Sequence, residues 1–196
     1  QMLIREIHFQ KFPAEWSNDH EAVRVAADNL ANQSSDWFED RTAATLEQLG
    51  FDGVTSLEVI AFDDTRDRVP PEVGEMDFVG YSRRDKLLLV ADAKMVLPRT
   101  EPRGFRDDRS AFTKGRKSYE AKLANKVGWV RENMDLICNY LCQETDLDLP
   151  LDVERVAGVL VTCFPTYAQF FTKQFPCSSL TNLVLDYEAH GKWPYS

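Results

Sequence analysis

The sequence predicts an α/β fold, with a central sheet covered by helices. Three observations carry that expectation. Leu87-Leu88-Leu89-Val90-Ala91 is apolar at every position, which suits a strand buried on both faces. Between residues 111 and 142, Leu123, Val127, Val130, Met134, Ile137 and Leu141 recur at helical spacing. A further apolar run over 153–164 follows that helical stretch, so strands and helices alternate along the chain. At 196 residues, 43% hydrophobic and 11% aromatic, the chain has the length and composition of one globular domain spanning 1–196. Residues 1–34 read as an N-terminal helical extension of it. Opening on Gln1 with no earlier Met, the chain reads as an excised domain of a longer protein or a processed one.

Taken in order, Asn18 is placed to cap a helix from Asp19 to about Asn32, with Glu21 completing its capping box. Ser34-Ser35-Asp36 reads as a break, and a second helix runs to Leu49, where Gly50 stops it. Gly53 to Phe62 carries the β-branched content of a strand in Val54, Thr55, Val59 and Ile60. Asp63 to Glu72, with Pro70-Pro71, reads as a polar loop. A strand over Glu75 to Tyr81, a connection Ser82-Arg83-Arg84-Asp85 and a returning strand over Lys86 to Val96 form a hairpin. Leu97 to Ser110, with Pro98 and Pro102, reads as a long loop able to clamp over a substrate. Ala111 to Cys142 reads as helix, bent at Gly115 or Gly128, and Leu180 to His190 as a closing helix with Gly191 at C′.

The hairpin concentrates charge where a buried sheet should carry none. Side chains two apart on a strand share a face, so Asp92 pairs in direction with Lys94, and Glu75 with Asp77. The connection brings Asp77 beside Asp92. A lone carboxylate on a central strand costs several kcal/mol unless it is paired or binds a metal. Two carboxylates sharing one hard cation, with an amine beside it, suit magnesium, which prefers oxygen ligands and keeps several waters. Repulsion between the carboxylates is expected to make their Asn variants slightly more stable without metal.

At these residues the chain resembles the PD-(D/E)xK, or restriction-endonuclease-like, superfamily of nucleases. Asp77 stands as the first motif carboxylate, and Asp92-Ala93-Lys94 as the D-x-K tripeptide. Gly74-Glu75-Met76-Asp77 looks like the Gly-Glu-x-Asp form of many members, with Met76 where others have Pro. Glu39, in Trp37-Phe38-Glu39-Asp40-Arg41 ahead of Leu46-Glu47-Gln48-Leu49-Gly50-Phe51, matches the acidic residue of the family's first core helix. The match covers roughly residues 35 to 96. It implies a mixed central sheet flanked by helices. It also implies a Mg²⁺ or Mn²⁺ ion held by Asp77, Asp92, the Ala93 carbonyl and Glu39, with Lys94 positioning the attacking water. Bland readings stay open. Glu39 could close a capping box with Asp36, Glu47 could replace it as the ligand, Asp77 could be an edge-strand charge, and Asp92 and Lys94 could be an ordinary ion pair.

The net charge of −9 argues at first against a nucleic-acid substrate, but its distribution reverses that locally. Residues 94–131 hold eleven basic side chains against four acidic ones, a net +7 directly after the D-x-K strand. Arg99, Arg103, Arg106, Arg109, Lys114, Arg116 and Lys117 are the phosphate-binding candidates, the alternative being a solvated charged face. Cys138, Cys142, Cys163 and Cys177 include no C-x-x-C pair, and His8, His20 and His190 form no ligand spacing. There is no Gly-rich phosphate loop and no G-x-S-x-G elbow. No apolar run approaches a membrane span and the start lacks a signal-peptide pattern, so a cytoplasmic protein with reduced thiols is expected. The expected function is a metal-dependent endonuclease that hydrolyses phosphodiesters in DNA. The resemblance places it in restriction, anti-phage defence or repair. A protein partner, the remainder of a longer chain or a second copy in a homodimer are the further candidate partners. The alternative is a degenerate nuclease-fold scaffold that docks a protein through its acidic surface.

Overall fold

Helix α1 (Glu21–Gln48) runs unbroken through Ser34-Ser35-Asp36, where the sequence suggests two helices. In this computed structural model, which describes residues 20–62, 65–96, 98–99 and 101–195, the Ser34 hydroxyl donates to the Leu30 carbonyl at 2.7 Å. Such a bond satisfies the side chain without ending the helix. His20 stands at the N-cap and makes no side-chain cap bond, while the expected Asn18 cap lies outside the described residues. At the other end Gly50 takes a φ of 89°, and the Phe51 N–H returns to the Leu46 carbonyl at 3.1 Å.

The strand expected over 53–62 is two strands. β1 (Asp52–Leu57) and β2 (Val59–Phe62) part next to Ser56, whose φ of 48° turns the chain. β2 pairs antiparallel with β3 (Thr65–Arg68), which falls inside the stretch expected as a polar loop. Its sequence, Thr-Arg-Asp-Arg, carries no apolar alternation, so only the pairing reveals it. The motif hairpin forms as expected, from β4 (Met76–Ser82) through a turn to β5 (Leu87–Lys94).

The expected clamp loop is largely helix. Pro102 sits at the first turn of α2 (Pro102–Thr113), where its missing N–H costs nothing. The helix expected over 111–142 is interrupted twice. Gly115, at φ 78°, opens the turn before α3 (Tyr119–Glu132), which Ser118 caps by accepting from the Ala121 N–H. Asn133 then leaves helical geometry ahead of α4 (Met134–Glu144). Gly128 lies inside α3. The chain closes with β6 (Arg155–Thr162), a 3₁₀ turn (Tyr167–Phe170), β7 (Cys177–Ser179) and α5 (Leu180–His190). Gly191 ends α5 at φ 63°, its N–H on the Tyr187 carbonyl at 2.9 Å, as its composition suggests.

The described residues thus form an α/β fold with five α-helices and a five-stranded mixed sheet of order β1-β4-β5-β6-β7. β1, β4 and β5 are antiparallel neighbours, while β5, β6 and β7 run parallel. Joining parallel β5 and β6 requires a crossover, and α2, α3 and α4 supply it. Alternate β5 residues divide between two cores. Leu87, Leu89, Ala91 and Ala93 pack with Phe38 and Leu46 of α1 and with Leu183 and Tyr187 of α5. Leu88 and Val90 pack with Leu123, Val127 and Val130 of α3 and with Ile137 and Leu141 of α4. β5 is therefore the doubly buried strand its composition predicts. Among the described residues, no helix is long and apolar enough to cross a membrane.

Candidate active site

Because Ala91 and Ala93 face α1, Asp92 and Lys94 face the α3 layer. Phe78 likewise packs with the α1 side while Val79 and Tyr81 belong to the α3 side, which sets Asp77 beside Asp92. The antiparallel ladder pairs Phe78 with Ala91, and one step further the Asp77 carboxylate takes over from the backbone. Its Oδ2 accepts the Ala93 N–H at 2.8 Å. β4 is antiparallel to β5, so the start of β4 and the end of β5 meet at the carboxyl end of the parallel strands. Ligands bind at that end in open α/β sheets.

Four charged side chains converge there. The Lys94 ammonium lies 2.9 Å from Asp92 Oδ2 and 3.3 Å from Asp77 Oδ2, and donates to the Ala93 carbonyl at 2.9 Å. Opposite it, Lys126 of α3 donates to Asp92 Oδ1 and stands 3.4 Å from Asp77 Oδ1. Asp92 is 1% exposed and Lys126 6%. The Lys94 contact with Asp92 Oδ2 is an ion pair without hydrogen-bond alignment, since that oxygen has no hydrogen-bond donor in line with it. Lys94 also stands 5.7 Å over the Tyr119 ring, which packs edge-on against Phe112.

The electrostatics follow from this pairing. Burial alone would raise the Asp92 carboxyl, but Lys94 and Lys126 outweigh it and hold it below its ordinary value. Burial likewise opposes the charged form of Lys94, yet Asp92 and Asp77 raise it to about 12. The two carboxylates are thus bridged by cations rather than left to repel each other. That speaks against a gain in stability for Asp92→Asn without metal, because Asp92 is the buried partner of both ammoniums, whereas Asp77→Asn leaves each lysine paired with Asp92.

Glu39 reaches this region from α1, the helix on the other face of the sheet. Burial and the nearby Asp77 push its carboxyl up to about 7, Lys94 opposing. Among the described residues, no three acidic, His or Cys side chains gather in metal-binding geometry, so Glu39 does not complete a three-carboxylate group with Asp77 and Asp92. Glu47, the other candidate on α1, is exposed. Lys126 is the site residue that sequence reasoning missed, having been counted with the basic run. Its signal was present: it falls three after Leu123 and four before Val130, inside the apolar stripe of α3.

The phosphate-binding candidates divide. Arg99 is half-buried, its Nε on Asp108 Oδ1 at 3.1 Å, tying the segment before α2 to the middle of that helix. Arg103, Arg106 and Arg109 are exposed on α2, with Arg106 3.8 Å from Asp107. Lys114, Arg116 and Lys117 are exposed in the turn before α3. The fold and the site define an α/β protein with a buried two-Asp, two-Lys cluster at the carboxyl end of its parallel strands. Comparison with protein-family models, curated proteins and solved structures finds no match to this chain.

Proposed function

We propose that the chain is a PD-(D/E)xK-like, divalent-metal-dependent phosphodiesterase that cleaves DNA. One observation carries the reading: Asp77, Asp92, Lys94 and the Ala93 carbonyl come together at the carboxyl end of β5. The antiparallel β1-β4-β5 unit extended by parallel β6 supports the same family.

The donor set fits a hard cation, being two carboxylates and a backbone carbonyl, all oxygen. Two ammoniums stand against those oxygens, so a bound cation would share them with Lys94 and Lys126. Asp77, Asp92 and the Ala93 carbonyl would hold magnesium or manganese, with Glu39 as the further candidate ligand. When bound, the ion supplies an activated water and offsets charge on the scissile phosphate. Lys94 donates hydrogen bonds to that water and to a phosphate oxygen. Lys126 holds the Asp92 carboxylate in orientation and neutralises it from the α3 side. Hydrolysis forms one bond from water oxygen to phosphorus, breaks the phosphorus–ester oxygen bond, and passes the water's proton to the leaving alcohol. The exposed arginines of α2 would take flanking phosphates.

A second reading, a scaffold with a nuclease-like fold, is favoured by one feature. The two ammoniums neutralise both carboxylates without any metal. Incubating the chain with supercoiled, linear and single-stranded DNA and with RNA, with and without magnesium, separates the two. Magnesium-dependent cleavage of DNA is expected. No cleavage of any substrate, together with no calorimetric binding of magnesium, would leave the scaffold.

A further inference from the structure

Beyond the cluster, the same end of the sheet carries a group of exposed rings. Phe164, which follows β6, is 39% exposed, Tyr167 51% and Phe170 75%. Tyr167 and Phe170 are in ring contact, and a grouped exposed apolar patch of this kind is what marks an interaction site.

Their support is built rather than loose. Thr166 caps the 3₁₀ turn through its hydroxyl on the Ala168 N–H, and Ala168 is fully buried. The N–H groups of Lys173 and Gln174 donate to Glu120 at 2.6 and 2.8 Å, fastening the segment after the turn to the start of α3. Phe105 of α2 meets the Tyr167 ring at 4.3 Å, tilted by 60°, and Tyr167 meets Phe170 at 6.2 Å. Helix α2 is thereby held beside the rings. On it Arg109 lies one turn after Phe105 on the same side, Arg106 lies to the flank, and Arg103 falls on the far side of the helix. Lys173, three residues after Phe170 in the chain, is another exposed cation.

We infer that Phe164, Tyr167 and Phe170 form a stacking ledge for the bases of single-stranded DNA, with Arg106 and Arg109 taking its phosphates. The inference deepens the nuclease reading and rests on it for the direction of the strand toward Asp77 and Asp92. Interleaved rings and cations suit a single strand, whose bases present open π-faces, whereas paired bases cover theirs. Register places the ledge near the cluster. Lys94 pairs with Thr162, and the Thr162 hydroxyl donates to the Phe164 carbonyl at 2.8 Å.

The test uses the wild-type chain in EDTA, so that binding is read without cleavage. Anisotropy titrations compare a labelled oligothymidylate, a blunt mixed-sequence duplex and labelled phosphatidylserine vesicles. Tighter binding of the single strand is expected. Phe170→Ala and Tyr167→Ala should each weaken it about tenfold while changing duplex affinity by less than about twofold, and Phe170→Trp should retain it. Phe170 is the most exposed ring, so its loss leaves the melting temperature unchanged. Wild-type affinity in Phe170→Ala, equal losses on the duplex, or vesicle binding without oligonucleotide binding would each overturn the ledge. The two readings fail separately. Ring-dependent binding without magnesium-dependent cleavage sinks the nuclease alone, and cleavage with a neutral Phe170→Ala sinks the ledge alone.

Discussion

At Asp92 the charge of one residue is set by two others from different elements, Lys94 on its own strand and Lys126 across the core. Removing one partner from a buried pair leaves an uncompensated charge, so Lys126→Met should destabilise the chain by about 3 kcal/mol or more. Asp92→Leu combined with Lys126→Met should recover much of that loss, since two apolar groups replace two charges. Urea unfolding of both singles and the double gives the coupling, and strictly additive losses would deny that the pair interacts. Proton linkage adds a second check. Asp92 is depressed, so its stabilisation is complete above its unfolded value and is lost as pH falls through the folded one. Lys94 is raised, so its contribution is complete below its unfolded value and is lost as pH rises toward about 12. Glu39 runs the other way. Raised to about 7, it binds its proton more tightly in the folded chain, which loses stability as pH rises from 4.5 to about 7. In metal-free buffer, Glu39→Gln should therefore raise the melting temperature at pH 8 by about 2–4 °C and do little at pH 5, the partial exposure of Glu39 keeping the gain small. An equal gain at both pH values would contradict the assignment.

Between elements, the decisive spacing is that of α3 against the sheet. A Cβ on Gly158 of β6 would lie 2.8 Å from both Val127 of α3 and the Phe175 ring. Gly158→Ala should push α3 outward, cost about 1–3 kcal/mol and lower metal-dependent cleavage, because Lys126 rides on that helix. Gly128→Ala, on the same helix, meets nothing within 4 Å and should instead stabilise by about 0.5–1 kcal/mol with cleavage unchanged. Melting curves and initial rates on the pair would expose the error if the two behaved alike. The same scale shows what the sequence makes legible. The motif hairpin and the buried strand β5 could be read directly, because alternation and turn chemistry are local. The continuity of α1 could not, since Ser34 bonds back to Leu30 inside the helix. Nor could α2, where Pro102 starts a helix instead of excluding one. Lys126 is legible only as a lysine inside the apolar stripe of α3; its partner is not, because that is decided by what the sheet places opposite it.

Across the whole molecule, a chain of net charge −9 carries a basic segment after the D-x-K strand and three exposed rings, Phe164, Tyr167 and Phe170, at the same end of the sheet. Asp77 and Asp92 were legible as a pair, since a hairpin of that length brings them level. Glu39 was legible as an acidic residue aimed at the region, but its arrival from the opposite layer depends on how α1 packs, which no local pattern records. The basic run was legible as a surface, whereas the tie between Arg99 and Asp108 was not, because it needs α2 to form first. These are the features that the proposed phosphodiester chemistry would use. Its most direct test is the rate of magnesium-dependent DNA cleavage by Asp77→Asn against wild type, both shown folded by circular dichroism. Asp77 is the less buried of the two carboxylates, so this variant keeps Asp92 and both lysines in place. A loss of at least about a hundredfold is predicted, and cleavage near the wild-type rate would contradict the assignment of the active site.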